Sequence, residues 1–392
     1  MNRIAIYLLA LGAFGVGTAE FIVSGILEVI SNDLNVPVSL AGQLVTVYAL
    51  SHAFGALVLV ILTTKFERKR VLLSSMLVFI IGNIVAFFSY HFGMLMFSRI
   101  VLAMSGGLYF VVATIYAAQL AEPAKRGSAI ATVITGFTVS LVLGVPIGTF
   151  IASFMDWRYV FLFIASITLI DLLLLNKYIP KILKGNKSIS LKQQLLVIRD
   201  KQIISGLFTT LFWIFGYTMV FTYIAPLLNK LADFSIEKIS TALLVLGVFA
   251  FIGSRFGGYA ADKWGPVRTI YFSLIIHSVA LFFLTATSIS TIGVFIIIMV
   301  WGTAAWTTTP ANQFYLISLK PQSSEIVLSF NTAIMNIGMT LGAGIGGLVI
   351  EYASVLNLGW IGGITVLMAL VTASFSFAIN KRKKESESRL NS

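Results

Sequence analysis

The sequence contains no cysteine, three histidines and little charge: Asp, Glu, Lys and Arg make up 11% of its 392 residues. Absent cysteine excludes disulfides, thiolate metal sites and cysteine nucleophiles together. His52, His91 and His277 lie far apart and form no metal-ligand spacing, so no metal or other cofactor is expected. No Gly-x-x-x-x-Gly-Lys-Ser/Thr stretch occurs, which removes nucleotide hydrolysis as an energy source. The apolar stretches hold neither a nucleophile–base pair nor paired carboxylates, so the chain is not expected to be an enzyme. A soluble domain carries about 25% charged residues. With 58% of the residues hydrophobic, no sizeable soluble domain is expected here.

What the chain does have is long apolar runs. They lie near 4–30, 41–62, 71–90, 93–119, 129–155 and 158–176, then near 202–227, 239–261, 269–288, 291–317, 326–352 and 358–379. A spanning helix needs ~20 apolar residues, and lipid offers no partner for free backbone groups, so each run is expected to cross as a helix. The first run is too long for a signal-peptide core and reads as a retained span. The expected fold is an all-α integral membrane protein with twelve transmembrane helices.

The net charge of +12 invites a nucleic-acid reading, but the distribution of the basic residues argues against it. With the N-terminus inside, 22 of the 27 lysines and arginines fall on the cytoplasmic side, and Arg255 near an inner span end makes 23. Arg158, Lys230 and Lys238 fall outside, and Arg99 falls within a span. This bias is the positive-inside signature. Both termini are expected in the cytoplasm, and no nucleic-acid partner is expected. The stretch 177–201 carries seven basic residues and separates six spans from six, as a cytoplasmic linker between halves would.

An internal repeat supports that division. Lys65 and Lys263, Arg70 and Arg268, and Pro123 and Pro321 are each separated by 198 residues. The same offset relates Gly144-Val145-Pro146-Ile147-Gly148 to Gly342-Ala343-Gly344-Ile345-Gly346. Expected domains are therefore a six-helix half at 1–176, the linker 177–201, a second half at 202–380, and a cytoplasmic tail at 381–392. Parallel six-helix halves are a transporter architecture.

Gly258-Tyr259-Ala260-Ala261-Asp262-Lys263-Trp264-Gly265-Pro266-Val267-Arg268 resembles the loop motif of the major facilitator superfamily. In the N-terminal copy, Val60, Thr64 and Glu67 stand where the motif has glycine, aspartate and glycine. Gly136, Gly144, Pro146 and Gly148 in the fifth span resemble the antiporter motif of the twelve-span drug:proton antiporter branch. Gly17-Thr18-Ala19-Glu20-Phe21, Asp156-Trp157-Arg158, Trp301-Gly302, Pro310-Ala311 and Ser329-Phe330-Asn331-Thr332 resemble the sugar-efflux and purine-nucleoside-efflux permeases within it. The resemblance covers nearly the whole chain. It implies two pseudo-symmetric halves and a monomer in the bacterial cytoplasmic membrane. It also implies proton-driven efflux of a small organic solute by alternating access, a nucleoside, purine or sugar-like solute first. Efflux of lipophilic or cationic drugs, and uncoupled facilitation, are the alternatives.

Candidate site residues follow from cost. Glu20 sits inside the first apolar run, where a charge is expensive and usually functional. Gly17 and Ser24 share its helical face. It is the candidate proton carrier, against a plain hydrogen-bond anchor between helices. Arg99 is the only basic residue deep in a span, with the Glu20 carboxylate as its expected partner, and the resemblance places an arginine of this helix near the proton path. A snorkelling arginine is the alternative. Asp171 reads as solvated or interfacial, Glu28 and Glu351 as interfacial, and His52 and His277 as core packing.

The glycines Gly136, Gly144 and Gly148 are expected to let helices approach closely where the halves meet, and Pro146 to bend its helix. Gly258, Asp262, Lys263, Gly265 and Arg268 are expected to latch an inner gate through charge pairs and helix-end dipoles, or else to serve topology alone. Candidate cavity residues are Phe21, Tyr48, Tyr109, Trp213, Tyr217, Tyr223, Trp301, Trp306, Gln313, Asn331 and Asn336. Aromatics with a few polar groups suit a flat, partly polar ligand.

Overall fold

The computed structural model describes residues 3–63, 66–122, 126–180, 200–286, 290–320 and 324–390. Lys65, Pro123, Pro321 and most of the expected linker lie outside the described residues. All the regular structure described is helical. The first part runs α1 (Arg3–Asp33), α2 (Val38–Leu62), α3 (Arg68–Phe87), α4 (Phe92–Leu120), α5 (Arg126–Val139), α6 (Val145–Phe154) and α7 (Tyr159–Tyr178). The second runs α8 (Lys201–Thr222), α9 (Ile224–Ala232), α10 (Ile236–Trp264), α11 (Pro266–Ala286), α12 (Thr291–Leu319), α13 (Ser324–Tyr352) and α14 (Asn357–Leu390).

Eleven of these stretches are long and apolar enough to cross a membrane, α5 and α6 counting as one continuous span. The remaining long helix, α2, has 25 residues and no Asp, Glu, Lys or Arg. It fills the place of the second expected span. The helices form because carbonyls and amides in these runs have no partner outside their own segment.

The chain divides into two compact units. One comprises Met1–Asn186 with Thr222–Gly247, the other Lys187–Phe221 with Val248–Ser392. Within the first, α2 packs on α4, α3 on α4 and α7, and α1 on α5. The second repeats the scheme. There α11 packs on α12 and α14, and Gly253 and Gly257 of α10 bring its backbone against Thr303 and Thr307 of α12.

Glycine placement sets the closest approaches, and it corrects one expectation. Added β-carbons on Gly136, Gly144 and Gly148 would overlap Ala10, Thr18 and Ile22, all on α1. In the second unit, Gly338 and Gly342 of α13 likewise sit on Leu211 and Phe215 of α8, where added β-carbons would lie 2.8 and 2.7 Å from the carbonyl oxygens. These motif glycines are therefore used within each unit, the fifth span against the first and the eleventh against the seventh. Removing Cβ on one helix lets a second backbone come within contact.

The break expected at Pro146 takes a different form. Residues Ser140–Gly144 make a π-helical turn, closed by a Val145 N–H bond to the Ser140 carbonyl. Pro146 follows as an early residue of α6. A proline has no N–H to donate to the preceding turn, and the wider turn absorbs the missing bond. The Pro146 carbonyl accepts the Ser240 hydroxyl at 2.9 Å.

Two loop features also have local causes. Gly265 has φ of +85° and is the single residue between α10 and α11. Only glycine takes that backbone without strain, and Pro266 behind it is preset for a helix start. At the other end of the first unit, Arg158 pairs with Asp33 at 2.7 Å and Asp156 at 3.1 Å. It also donates to the Ser89 carbonyl at 2.9 Å, which ties the ends of α1, α3 and α7 together.

Candidate functional site

A cluster of four polar side chains is buried in the first unit, where α1, α2 and α4 meet. Glu20 projects from α1, Tyr48 and His52 from α2, and Arg99 from α4. Arg99 is fully buried, and Glu20 and Tyr48 nearly so. On α1, Gly17 lies against Ser140 and Phe137, so the small residue one turn from Glu20 lets α5 close over that face.

The partners differ from those the sequence pointed to. Arg99 does not reach the Glu20 carboxylate. Its guanidinium donates to the carbonyl oxygens of Ala19 and, at 3.2 Å, of Glu20, with a longer bond of 3.5 Å to the Leu44 carbonyl. Its Cζ lies 4.1 Å from the centroid of the Tyr48 ring. A planar group with five donors is satisfied by backbone dipoles from two helices and by a π-face beneath it.

The Glu20 carboxylate instead faces His52, with Oε2 3.5 Å from Nδ1. Neither atom makes a hydrogen bond among the described residues. His52, expected as core packing, is therefore the side chain that faces the Glu20 carboxylate. An unsatisfied buried carboxylate is costly, and a bound proton or a cationic imidazole removes the cost.

The remaining cavity candidates of the first unit are scattered. Phe21 packs edge-on against Phe137, with ring centroids 5.6 Å apart. Tyr109 donates its hydroxyl to the Leu9 carbonyl at 3.2 Å, between α4 and α1. Tyr223 is buried with its hydroxyl over Gly42 of α2.

In the second unit, α8, α11 and α12 bring several candidates together. Tyr217 lies between Trp301, at 5.3 Å, and Trp306, whose indole N–H reaches the Tyr217 hydroxyl at 3.3 Å. The Trp301 indole donates to His277 Nε2 at 3.1 Å. The His277 Nδ1 and the Trp213 indole nitrogen are buried without partners among the described residues.

About two turns from Tyr217 along α8 runs a chain of polar bonds. Asn312 donates to the Thr210 hydroxyl at 2.7 Å, and Thr210 donates to the Asn331 amide oxygen at 2.6 Å. Sequence reasoning named Asn331 but missed Thr210 and Asn312. Their signal was available, as uncharged polar residues inside apolar spans that must find partners there. Gln313 and Trp306 are half-buried, and Asn336 binds the Thr332 carbonyl within its own helix at 3.0 Å. A separate groove of about 450 Å³ on the second unit is lined by apolar groups such as Phe256, Trp264 and Phe272 and includes none of these candidates.

Of the loop-motif residues, Asp262, Lys263 and Arg268 are exposed, and Gly258 and Gly265 are half-buried. Lys263 bonds the Tyr259 hydroxyl at 2.9 Å, and among the described residues no ion pair joins Asp262, Lys263 or Arg268 to another group. An added β-carbon on Gly258 would meet nothing described within 4 Å. In the N-terminal copy, Lys69 donates to the carbonyls of Asn176 and Ile179, capping the end of α7. Glu28 is half-buried and Glu351 exposed.

Asp171 requires a second correction. Expected at an interface, it is fully buried in α7, and neither of its carboxylate oxygens has a hydrogen-bond partner. No group of three or more metal-ligating side chains occurs among the described residues.

The family model of the Major Facilitator Superfamily matches residues 9–329. The chain is 37% identical over 390 residues to the "Uncharacterized MFS-type transporter YbcL" of Bacillus subtilis, covering 100% of this chain and 99% of that one. It is 30% identical over 372 residues to the "Inner membrane transport protein YdhP" of Escherichia coli, covering 93% and 95%. In fold it is similar to the crystal structure of a D-xylose-proton symporter, with a TM-score of 0.80 at 18% identity, covering 95% of this chain and 97% of that one. A bacterial homolog of the human lysosomal transporter Spinster, inward-facing and occupied, also gives 0.80, at 16% identity and 97% coverage of both chains.

Proposed function

The chain belongs to the Major Facilitator Superfamily, and from that premise we propose that it is a proton-coupled antiporter that expels a small organic solute by alternating access. It is a multi-pass membrane transporter that acts on a small molecule. Proton coupling, the outward direction and the solute class are the proposal.

The observation that carries it is the Glu20–His52 pair, buried beside Arg99 and lacking formed hydrogen bonds. Glu20 takes the proton. With the proton bound, the carboxyl is neutral and the site is stable when dry. With the proton released, the carboxylate is favoured by the positive charge of the nearby Arg99. Arg99 holds α1 and α2 through their carbonyls, so a change of charge at Glu20 is felt directly by the helices that move. The proton gradient then supplies the energy, one proton at this pair per cycle.

The solute class rests on the second unit. Tyr217, Trp301 and Trp306 offer π-faces, and the Asn312–Thr210–Asn331 chain offers hydrogen-bonding groups about two turns away along α8. Aromatic faces and uncharged polar groups within one set of spans suit a flat ring with polar edges, such as a nucleoside, purine or sugar-like solute. The membrane is read as the bacterial cytoplasmic one, with both termini inside, from the positive-inside bias.

The test uses everted vesicles from cells expressing the protein, with radiolabelled nucleosides, sugars and cationic dyes as probes. Accumulation of one class should follow an imposed pH gradient and collapse with a protonophore. Glu20→Gln, which mimics the protonated acid, should abolish uphill accumulation while sparing exchange at equal concentrations. Uphill accumulation by Glu20→Gln at the wild-type rate would refute the assignment.

A further inference from the structure

Asp171 is the one acid in the first unit that the mechanism above leaves unused and that has no solvent and no partner. Its side chain is fully buried, and both oxygens lack hydrogen bonds among the described residues. Its position can be fixed by its neighbours. Thr168, one turn earlier on the same face of α7, sits against Gly15 of α1. The helices α1 and α7 are antiparallel, so three residues further along α7 corresponds to three residues back along α1, at Gly12. Gly12 is where the Tyr109 hydroxyl and the end of Met76 come in from α4 and α3. Asp171 therefore stands at a four-helix junction of α1, α3, α4 and α7, within electrostatic reach of Tyr109.

The groups around it are few. From α4 it faces Tyr109, whose hydroxyl is committed to the Leu9 carbonyl. From α3 the nearest cation is Lys69, committed to the carbonyls of Asn176 and Ile179, about 7 Å or more further along the α7 axis. The α1 surface at this level is glycine, and the next titratable group deeper along α1 is Glu20, eight residues away or about 12 Å. Among the described residues no cation compensates a charge at Asp171, and no donor solvates it. An isolated buried carboxylate is too costly to persist, so the group must carry a proton here.

We propose that Asp171 is a second proton-binding carboxyl of this protein, loaded while α1, α3, α4 and α7 are packed and unloaded when water reaches the junction. This rests on the transporter reading only for its use; the protonation itself does not depend on it. On unloading, the O–H bond of the carboxylic acid breaks and the proton passes to water, leaving carboxylate and hydronium. Lys69 lies on the expected inner side of the junction and favours release in that direction. Both acids are tied to α1, Glu20 on it and Asp171 against it, so one helix senses both charges.

Infrared spectroscopy of the purified protein in lipid vesicles, at neutral pH, tests this without any solute. A protonated carboxyl has a C=O stretch that a carboxylate lacks. In the Glu20→Gln background that band should be present and should vanish on adding Asp171→Asn. Asp171→Glu should keep a shifted band, which guards against loss of the signal by misfolding. Absence of the band in Glu20→Gln, or its survival in Asp171→Asn, overturns the proposal. Neither result bears on whether Glu20→Gln loses uphill transport, so this inference and the transporter reading fail separately.

Discussion

Replacing Gly136 and Gly258 by alanine, one at a time, separates glycines that pack from glycines that do something else. Both lie inside long helices, and both belong to motifs singled out in the sequence. A β-carbon at position 136 would overlap the Ala10 carbonyl oxygen and lie 2.7 Å from its carbon and 2.9 Å from its Cα. All three are backbone atoms of a buried helix, so no rotamer change relieves the clash and α1 and α5 must part. Overpacking of this kind costs ~1–3 kcal/mol, only partly offset by the gain of about 1 kcal/mol for alanine over glycine in a helix. At position 258 nothing described lies within 4 Å, so only the gain applies, again about 1 kcal/mol.

The helix gain is common to both, so the two variants should differ by the overpacking cost alone, roughly 1–3 kcal/mol, which is a gap on the order of 2–6 °C in melting temperature for a protein of this size. Heating the purified proteins in detergent and measuring the surviving monodisperse fraction gives the gap. Gly136→Ala should melt below wild type and Gly258→Ala at or above it. Equal melting temperatures, or the reverse order, would refute the packing argument. If Gly258→Ala is stable, a loss of uphill transport in it locates a close approach at that glycine in another conformation.

Two further outcomes follow from the loops. Arg158→Ala removes pairs to Asp33 and Asp156, acids that are 41% and 45% exposed. Screening holds each pair to about 1 kcal/mol, so the total loss should be near 2 kcal/mol and should shrink in high salt, read as a lower melting temperature in low salt only; a variant that melts like wild type in low salt would sink this account of the outer tie. For topology, single cysteines at Asn32, which is exposed, and at Asn186, which lies outside the described residues, should react differently in intact cells. An impermeant thiol reagent should label position 32 and not 186, and the opposite pattern would invert the orientation.

The sequence alone determined that the chain is helical, roughly where its long apolar helices lie, and that Glu20 and Arg99 lie deep. Those properties follow from composition along one strand of chain: an apolar run of sufficient length has no alternative to a helix in lipid, and a charge inside it is conspicuous. The family and the repeat were legible for the same reason, since the loop motif and the glycine offsets are linear patterns. Only the tertiary structure decided what each buried polar group meets. A residue's helical face can be read from spacing, but the helix opposite that face cannot. Arg99 therefore looked like the partner of the Glu20 carboxylate, whereas the fold satisfies it with carbonyls and gives the carboxylate to His52. The motif glycines looked like a surface between halves; Ala10, Thr18 and Ile22 of α1 lie against them, while Pro146 on the same span accepts a bond from Ser240 of the eighth. Asp171 looked interfacial because it lies six residues from Lys177, yet its face of α7 turns inward, as Thr168 one turn away does, onto the glycines of α1. Partnership between buried polar groups is a property of which helices pack, and packing is set by side chains far apart in the chain.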